Sequence, residues 1–144
     1  MLGRDFVDTN VLVYAVDESE PAKRDVARAI LAADDAARRL VLSTQVLCEF
    51  YVVTTRRLDQ QMPTHEAAAA VGELSKLAVV GSDVALVEDG IRLSIEAQLS
   101  LWDALIVAAA KIAGCVRVLT EDLSAGVEIE SVLIENPFAT VAED

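Results

Sequence analysis

Three aspartates lie at positions where an acidic side chain can take part in chemistry. Asp8 and Asp122 each follow the apolar run of a short predicted strand, and Asp103 opens a predicted apolar helix. Ligands bind to α/β folds at the carboxyl ends of parallel strands. A carboxylate in the first turn of a buried helix is costly unless it is paired, hydrogen-bonded or bound to a metal. If the first and fourth strands are neighbours, Asp8 and Asp122 meet at one edge of the sheet.

Glu49 is a fourth candidate because it lies in the middle of a predicted helix, where it has no end to cap. It borders the apolar face that Val46, Phe50 and Val53 form on that helix. A purely structural role is an alternative for each acid. Glu49 could extend from the rim of its helix into solvent, and each aspartate could cap a helix or a turn.

Carboxylates that converge without a cation repel one another, so at pH 7 they bind protons or a hard divalent metal. Mg²⁺ prefers a few carboxylates together with water. A metal held in this way polarises a phosphoryl oxygen and supplies hydroxide at neutral pH. Asn10, two residues after Asp8, and Thr120, two residues before Asp122, could orient the ligands or waters. The pattern therefore favours hydrolysis of a phosphodiester.

The single histidine, His65, excludes acid–base chemistry that needs paired imidazoles. A zinc site is also excluded, because Cys48, Cys115 and His65 are scattered without ligand spacing. Both cysteines lie in apolar segments and are predicted to be buried free thiols of a reducing compartment. We therefore expect the protein in the cytoplasm.

The composition predicts one folded domain over residues 1–144, because 53% of the residues are apolar. No membrane span is expected, since the purest apolar run, residues 104–110, is far shorter than the roughly 20 residues required, and no signal peptide is expected.

The net charge of −12 argues against a protein that holds nucleic acid by overall charge. Residues 21–57 nevertheless carry seven Lys or Arg against four Asp or Glu, which is compatible with a local basic face or with solvated helix faces.

Short apolar runs alternate with helical patterns along the chain. The predicted strands are residues 2–7, 40–42, 78–80, 115–119 and 132–134. The predicted helices are residues 9–16, a helix capped by Ser19 with Pro21 in its first turn, a helix from Ser43 to Arg57, residues 63–77, a helix from Ser82 to about Gln98, and residues 101–113 after Ser100.

This alternation predicts crossover connections over a parallel sheet. The strands are continuous apolar runs, which is typical of a sheet covered on both faces. The helix at residues 101–113 is apolar nearly all round, so we expect it to be buried. The sequence therefore predicts a single α/β domain.

Four segments of the chain, in this order and spacing, resemble the PIN domain family. They are FVDTNVL at residues 6–12, CEFY at 48–51, WDALI at 102–106 and LTEDL at 119–123, and IENPF at 134–138 resembles the end of the family's domain. The branch that looks most similar is the VapC-type toxins of bacterial and archaeal toxin–antitoxin pairs.

The resemblance implies a three-layer α/β/α fold around a short parallel sheet, and an endoribonuclease that depends on Mg²⁺ or Mn²⁺. It also implies a homodimer and inhibition by a cognate antitoxin protein whose tail crosses the active-site groove. The acids that it assigns to the metal site are Asp8, Glu49, Asp103 and Asp122, and the supporting polar groups are Asn10 and Thr120.

The leading hypothesis is metal-assisted hydrolysis of RNA, in which Asp8, Asp103 and Asp122 hold Mg²⁺. Glu49 either ligates the metal or orients the water that attacks phosphorus, which leaves a 5′-phosphate and a 3′-hydroxyl. A first alternative is phosphoryl transfer through an aspartyl-phosphate on Asp8, although Asn10 stands where such phosphatases have a second acid. A second alternative is a non-catalytic acidic domain that binds a metal or a basic partner.

Overall fold

The fold is built on a six-stranded sheet, seen in a computed structural model that describes residues 3–141. The strands are β1 (Arg4–Val7), β2 (Leu40–Ser43), β3 (Ala78–Val80), β4 (Cys115–Leu119), β5 (Glu128–Ile129) and β6 (Val132–Glu135). Their order across the sheet is β3-β2-β1-β4-β6-β5. All neighbours are parallel except β5, which is antiparallel to β6.

Seven helices flank this sheet within residues 3–141. They are α1 (Thr9–Tyr14), α2 (Pro21–Leu31), α3 (Ala36–Arg39), α4 (Thr44–Arg56), α5 (Thr64–Leu74), α6 (Val84–Ala97) and α7 (Leu101–Ile112). α1 contacts α2 and α4, and α4 contacts α5, whereas α6 packs along α7. The predicted α/β fold with a central, mostly parallel sheet is confirmed.

β1 lies in the interior of the sheet, between β2 and β4, and its last two residues are apolar and buried. Phe6 and Val7 are fully buried, and Val7 pairs with Leu119 of β4. The register continues past the strand ends, where the Asp8 N–H donates to the Leu119 carbonyl at 3.0 Å. The expected pairing of the first and fourth strands is therefore confirmed.

The core is closed on one side by α7, in which every residue of 104–110 except the half-buried Leu105 is buried, as the apolar pattern predicts. α6 packs closely against it at Gly90, where an added Cβ would lie 2.6 Å from Leu105 Cδ2. None of the described helices is by itself long and apolar enough to cross a membrane. α6 and α7 reach that length and composition only as a pair bent by 116°.

Two predicted helix caps are wrong by one residue. α2 begins after Glu20 with Pro21 in its first turn, because the Ser19 hydroxyl donates instead to Asp17 Oδ1 at 2.6 Å. α6 is capped by Asp83, which accepts from the Leu86 N–H at 2.8 Å. The Ser82 hydroxyl is hydrogen-bonded to Thr44 of the neighbouring β2–α4 junction instead.

Other boundaries differ at their ends. α1 stops at Tyr14 and α5 at Leu74, each earlier than predicted, and α3 and β5 were not predicted. Residue 2 of the first predicted strand lies outside the described residues. Cys115 is buried, but the prediction that Cys48 is buried is wrong, because it lies on an exposed face of α4.

A buried acid outside the expected set lies on β1. Asp5 is 1% exposed and forms ion pairs with Arg39 and Arg117, the latter at 2.6 Å. Arg117 also pairs with Glu135 of β6 at 2.5 Å. The basic residue inside the otherwise apolar strand β4 thus has a structural role, since Arg117 neutralises a carboxylate that is withdrawn from water.

Candidate functional site

Asp8 lies where β1 ends and α1 begins, and its side chain is 6% exposed. One carboxylate oxygen accepts from the Thr9 N–H at 2.7 Å, so Asp8 caps α1. The other accepts from the Thr120 hydroxyl at 2.8 Å. Thr120 follows β4, so the pairing of the two strands brings these distant residues together.

Asn10 connects the acids of the two strand ends. Its amide nitrogen lies 3.1 Å from Asp122 Oδ2, 3.2 Å from Thr120 Oγ1 and 3.4 Å from Asp8 Oδ2. Its amide oxygen accepts from the Glu121 N–H at 3.2 Å. One short side chain of α1 therefore fixes both the loop after β4 and the separation of two carboxylates.

Glu49 reaches this region from α4, which packs on α1. Its Oε2 accepts from the Thr9 hydroxyl at 2.6 Å, and its Oε1 accepts from Gln45 Nε2 at 2.9 Å. The side chain is half-buried and is held on both oxygens by neighbours. Of the two interpretations left open by the sequence, a rim residue extended into solvent does not describe this arrangement.

Asp103 is less closely connected to the other three acids. Its N–H donates to the Ser100 hydroxyl at 3.1 Å at the start of α7. No hydrogen bond or ion pair within residues 3–141 joins its carboxylate to another side chain. Asp103 is connected to the other acids through its neighbour Trp102. Gln45 Nε2 lies 3.4 Å from the Trp102 carbonyl oxygen and also donates to Glu49.

The pKa of Asp8 is raised from its ordinary value to about 6. Burial is the largest cause, and it outweighs the hydrogen bonds from Thr120 and Thr9, which lower the pKa. The charges of Asp122 and Glu49 raise it further. The three acids thus share one electrostatic environment in which negative charge is not compensated.

This donor set fits a hard divalent cation in chemistry, because it consists of carboxylate oxygens supported by neutral amide and hydroxyl groups. As the side chains stand, no three His, Cys, Asp or Glu residues within 3–141 form a group that could hold one metal ion. Thr9, Asn10 and Thr120 donate to the carboxylate oxygens that an ion would use. Binding a metal therefore requires the acids to move closer together around it.

A groove of about 770 Å³, which we call the α1–α4 groove, opens beside the acids. Four groove residues recur at intervals of four along α4 and its C-cap, so they lie along one stripe of the helix. The residues of this stripe are Gln45, Glu49, Val53 and Arg57. The opposite wall comes from α1, and Trp102 and Asp122 also line the groove.

A family model described as the PIN domain matches residues 6–125, a range that contains all four predicted acids. The chain belongs to the PIN domain family. The resemblance recognised in the four sequence segments is therefore confirmed.

Solved structures with the same PIN fold are about one-fifth identical to this chain. Mycobacterium tuberculosis VapC20, a sarcin–ricin loop cleaving toxin, is 21% identical with a TM-score of 0.63, over 82% of this chain and 89% of that one. A Klebsiella pneumoniae toxin–antitoxin complex contains a chain 20% identical, TM-score 0.66, over 92% and 97%. DNA-bound VapBC from Salmonella typhimurium contains a chain that is 21% identical, with a TM-score of 0.64, over 95% of this chain and 99% of that one. No curated protein matches the sequence.

Sequence reasoning missed the two residues that hold Glu49 in place in this PIN domain. Thr9 adjoins Asp8 in the motif, but its hydroxyl serves Glu49, forty positions away. Gln45 lies one helical turn before Glu49, a spacing at which side chains of a helix meet, so it could have been found from the sequence. No sequence pattern indicates the pairing of Thr9 with Glu49, because it depends on how α1 packs against α4.

A further polar cluster borders the groove next to Asp122. The Tyr14 hydroxyl donates to Glu121 Oε1 at 2.7 Å, and Lys23 Nζ donates to Glu121 Oε2 at 2.8 Å. Burial opposes ionisation of Glu121, but these two donors outweigh it and lower its pKa. Lys23 is thereby bound to Glu121 and leaves the charge on Asp8 and Asp122 without a counter-ion.

Proposed function

We propose that this PIN domain is a metal-dependent endoribonuclease and the toxin of a type II toxin–antitoxin pair. The observation that carries the proposal is the gathering of Asp8, Asp122 and Glu49 beside an open groove, where no cation of residues 3–141 pairs with them. Carboxylates in such a setting favour a hard divalent ion. Toxins and toxin–antitoxin complexes with the same fold support the assignment.

Mg²⁺ is the proposed cofactor, and Mn²⁺ would serve as well, with Asp8, Asp103 and Asp122 as the residues that hold it. When bound, such an ion polarises a phosphoryl oxygen and supplies hydroxide at neutral pH. Asn10 keeps the carboxylates of Asp8 and Asp122 in register with each other. RNA would be cleaved to leave a 5′-phosphate and a 3′-hydroxyl.

Glu49 either ligates the ion or orients the attacking water, with Thr9 and Gln45 fixing its two oxygens. Glu49 lies on the groove stripe of α4 and lines the α1–α4 groove together with Asp122, which supports this role. The Thr120 hydroxyl donates to Asp8 Oδ2 and so fixes that carboxylate. The scissile phosphate would thus meet carboxylates from three separate elements of the fold.

The decisive test is cleavage of RNA from a randomised single-stranded pool. We expect cleavage with Mg²⁺ and none with EDTA, and we expect Asp8→Asn and Asp122→Asn to lower the rate at least about a hundredfold. Asp34→Asn, a change at an exposed acid of the α2–α3 loop, is the matched control and should cleave like wild type. Equal cleavage in EDTA, or by Asp8→Asn, would contradict the proposal.

The proposed partners are a cognate antitoxin protein and a second copy of this chain, and the proposed location is the cytoplasm. The antitoxin's tail would cross the α1–α4 groove and cover the acids. The toxin–antitoxin complexes that share the fold support an antitoxin partner. An exposed apolar stripe on α6 supports the homodimer, and its test is given in the Discussion.

A further inference from the structure

Trp102 is the only tryptophan of the chain, and its side chain is 63% exposed. We propose that its indole stacks on an unpaired base of single-stranded RNA, while Arg57 binds a phosphate at the other end of the α1–α4 groove. The inference rests on the proposed ribonuclease function and adds to it how the substrate lies. It commits to RNA as the occupant of the groove.

The stripe of α4 gives the groove a direction. Gln45, Glu49 and Arg57 follow one another along it, and at 1.5 Å rise per residue their Cα atoms span about 18 Å. Glu49 lies about 6 Å from the Gln45 end and about 12 Å from the Arg57 end by the same rise. The Trp102 carbonyl oxygen lies 3.4 Å from Gln45 Nε2, so Glu49 lies between the Trp102 end of the stripe and Arg57.

The backbone at Trp102 is held firmly although its side chain is free. Ser100 caps α7, and Gln45 Nε2 contacts the Trp102 carbonyl oxygen. From Ala104 onwards α7 is almost wholly buried, so the indole stands out at its first turn, next to Asp103. An anchored aromatic side chain with an open face is the feature on which bases of single-stranded RNA stack.

Charge supports the same orientation of the RNA. Arg57 is exposed, it is the only cation among the described residues that line the groove, and its guanidinium pairs with no carboxylate within residues 3–141. Lys23, the nearest alternative on the α1 side, is bound to Glu121. A chain of net charge −12 repels RNA overall, so an isolated free cation in the groove provides the phosphate contact.

The first test uses an RNA oligonucleotide that wild type cleaves, selected from the randomised pool. Loss of a base stack costs about 1–3 kcal/mol, so Trp102→Ala should lower kcat/KM about 5- to 150-fold, and Trp102→Phe should restore most of the rate. Ile112→Ala changes an exposed apolar residue at the far end of the same helix and should have no effect. A wild-type rate for Trp102→Ala would overturn the proposal.

The second test locates the base. Each base of the oligonucleotide is removed in turn by an abasic substitution. We expect one position, close to the cleaved bond, at which wild type loses rate and Trp102→Ala loses nothing further. Additive losses at every position would contradict stacking on Trp102.

The third test separates the phosphate contact from the stack by its dependence on salt. Arg57→Gln should reduce the slope of log kcat/KM against log salt by about 0.7, the value of one phosphate contact on a single strand. Trp102→Ala should leave that slope unchanged, and Arg56→Gln, at an exposed neighbour that does not line the groove, is the control. An unchanged slope in Arg57→Gln would show that Arg57 does not contact a phosphate of the RNA.

Failure of this inference is distinguishable from failure of the ribonuclease assignment. If wild type cleaves no RNA of the pool, both are wrong. If it cleaves RNA and Trp102→Ala cleaves equally well, only the stacking site is wrong. If Trp102→Ala instead halves the molar mass in light scattering, the indole belongs to an interface between two copies of the chain.

Discussion

At the scale of single residues, the site is shaped by a conflict between burial and charge. Burial raises the pKa of Asp8 to about 6, and the charges of two further carboxylates add to that effect. Its hydrogen bonds from Thr9 and Thr120 offset only part of that cost. Such a residue is placed for a ligand, because the folded chain without a ligand would be more stable with a neutral group there.

Asp8→Asn should therefore stabilise the protein in the absence of metal. An asparagine caps a helix as well as an aspartate does, and it removes a charge whose burial costs about 1–3 kcal/mol. We expect the free energy of unfolding in EDTA at pH 7, measured with urea, to rise by about that amount. Addition of Mg²⁺ should stabilise wild type and leave the variant unchanged; a less stable Asp8→Asn protein in EDTA would contradict this account.

At the scale of elements, an ion-pair cluster ties the β5–β6 turn to two helices. Glu130 accepts from two nitrogens of Arg92 on α6, at 2.9 and 3.1 Å, and from Lys111 on α7. These donors lower the pKa of Glu130 to about 2. The β5–β6 hairpin is thus joined to the rest of the sheet through the pairing of β6 with β4, and its turn is joined to α6 and α7 by ion pairs.

Glu130→Gln tests this cluster through its dependence on pH. The pKa of Glu130 in the folded state lies below its ordinary value of 4.5, so its contribution is present above pH 4.5 and is lost as the pH falls towards 2. Because the groups are largely exposed, we expect a loss of about 1 kcal/mol or less at pH 7.

The difference in unfolding free energy between wild type and Glu130→Gln should shrink in acid. Glu128→Gln is the matched control, since Glu128 is exposed on the same hairpin and forms no ion pair within the described part of the chain. A difference for Glu130→Gln that is constant from pH 7 to pH 3 would show that charge does not hold the hairpin.

The elements were predictable where apolar patterning decides them and not where tertiary contacts do. Continuous apolar runs identify β1 and β4, and with them the meeting of Asp8 and Asp122. β5 escaped prediction because its turn, Glu130–Ser131, takes positive φ without glycine or asparagine. The choice of Asp83 over Ser82 as a cap depends on Thr44, a residue of another element.

The candidate site was predictable in its acids and not in its arrangement. Four carboxylates and two supporting groups follow from residue type and position, but the spacing could not place Asp103, whose carboxylate contacts no other acid in residues 3–141. Cys48 was misassigned because apolar neighbours in sequence do not share its face of α4. Side-chain partners such as Thr9 for Glu49 depend on helix packing, which sequence periodicity does not specify.

At the scale of the whole molecule, α6 presents an apolar stripe that no part of residues 3–141 covers. It consists of four exposed residues on one side of the helix, opposite the buried Leu86 and Leu93. The exposed residues are Val84, Val87, Ile91 and Ile95. A stripe of this size is typical of an interaction surface, and the proposed occupant is the same stripe of a second copy.

Ile95→Glu should separate the proposed homodimer into monomers. Ile95 is 74% exposed in the single chain, so the substitution should leave the fold and the unfolding temperature of the monomer unchanged, while burying two charges in a symmetric interface is unfavourable. Light scattering should show a halved molar mass. Ile112→Glu, at an exposed residue of α7, is the control and should keep the dimer; a dimer that survives Ile95→Glu would rule out this surface.

The pairing of β1 with β4 also has a consequence for the timing of synthesis. In the nascent polypeptide, Asp8 is translated more than a hundred residues before Asp122. Until β4 has emerged from the ribosome and docked beside β1, Asn10 has no second carboxylate to hold. An incomplete product of translation that stops before β4 therefore lacks the contact through which Asn10 joins Asp8 to Asp122.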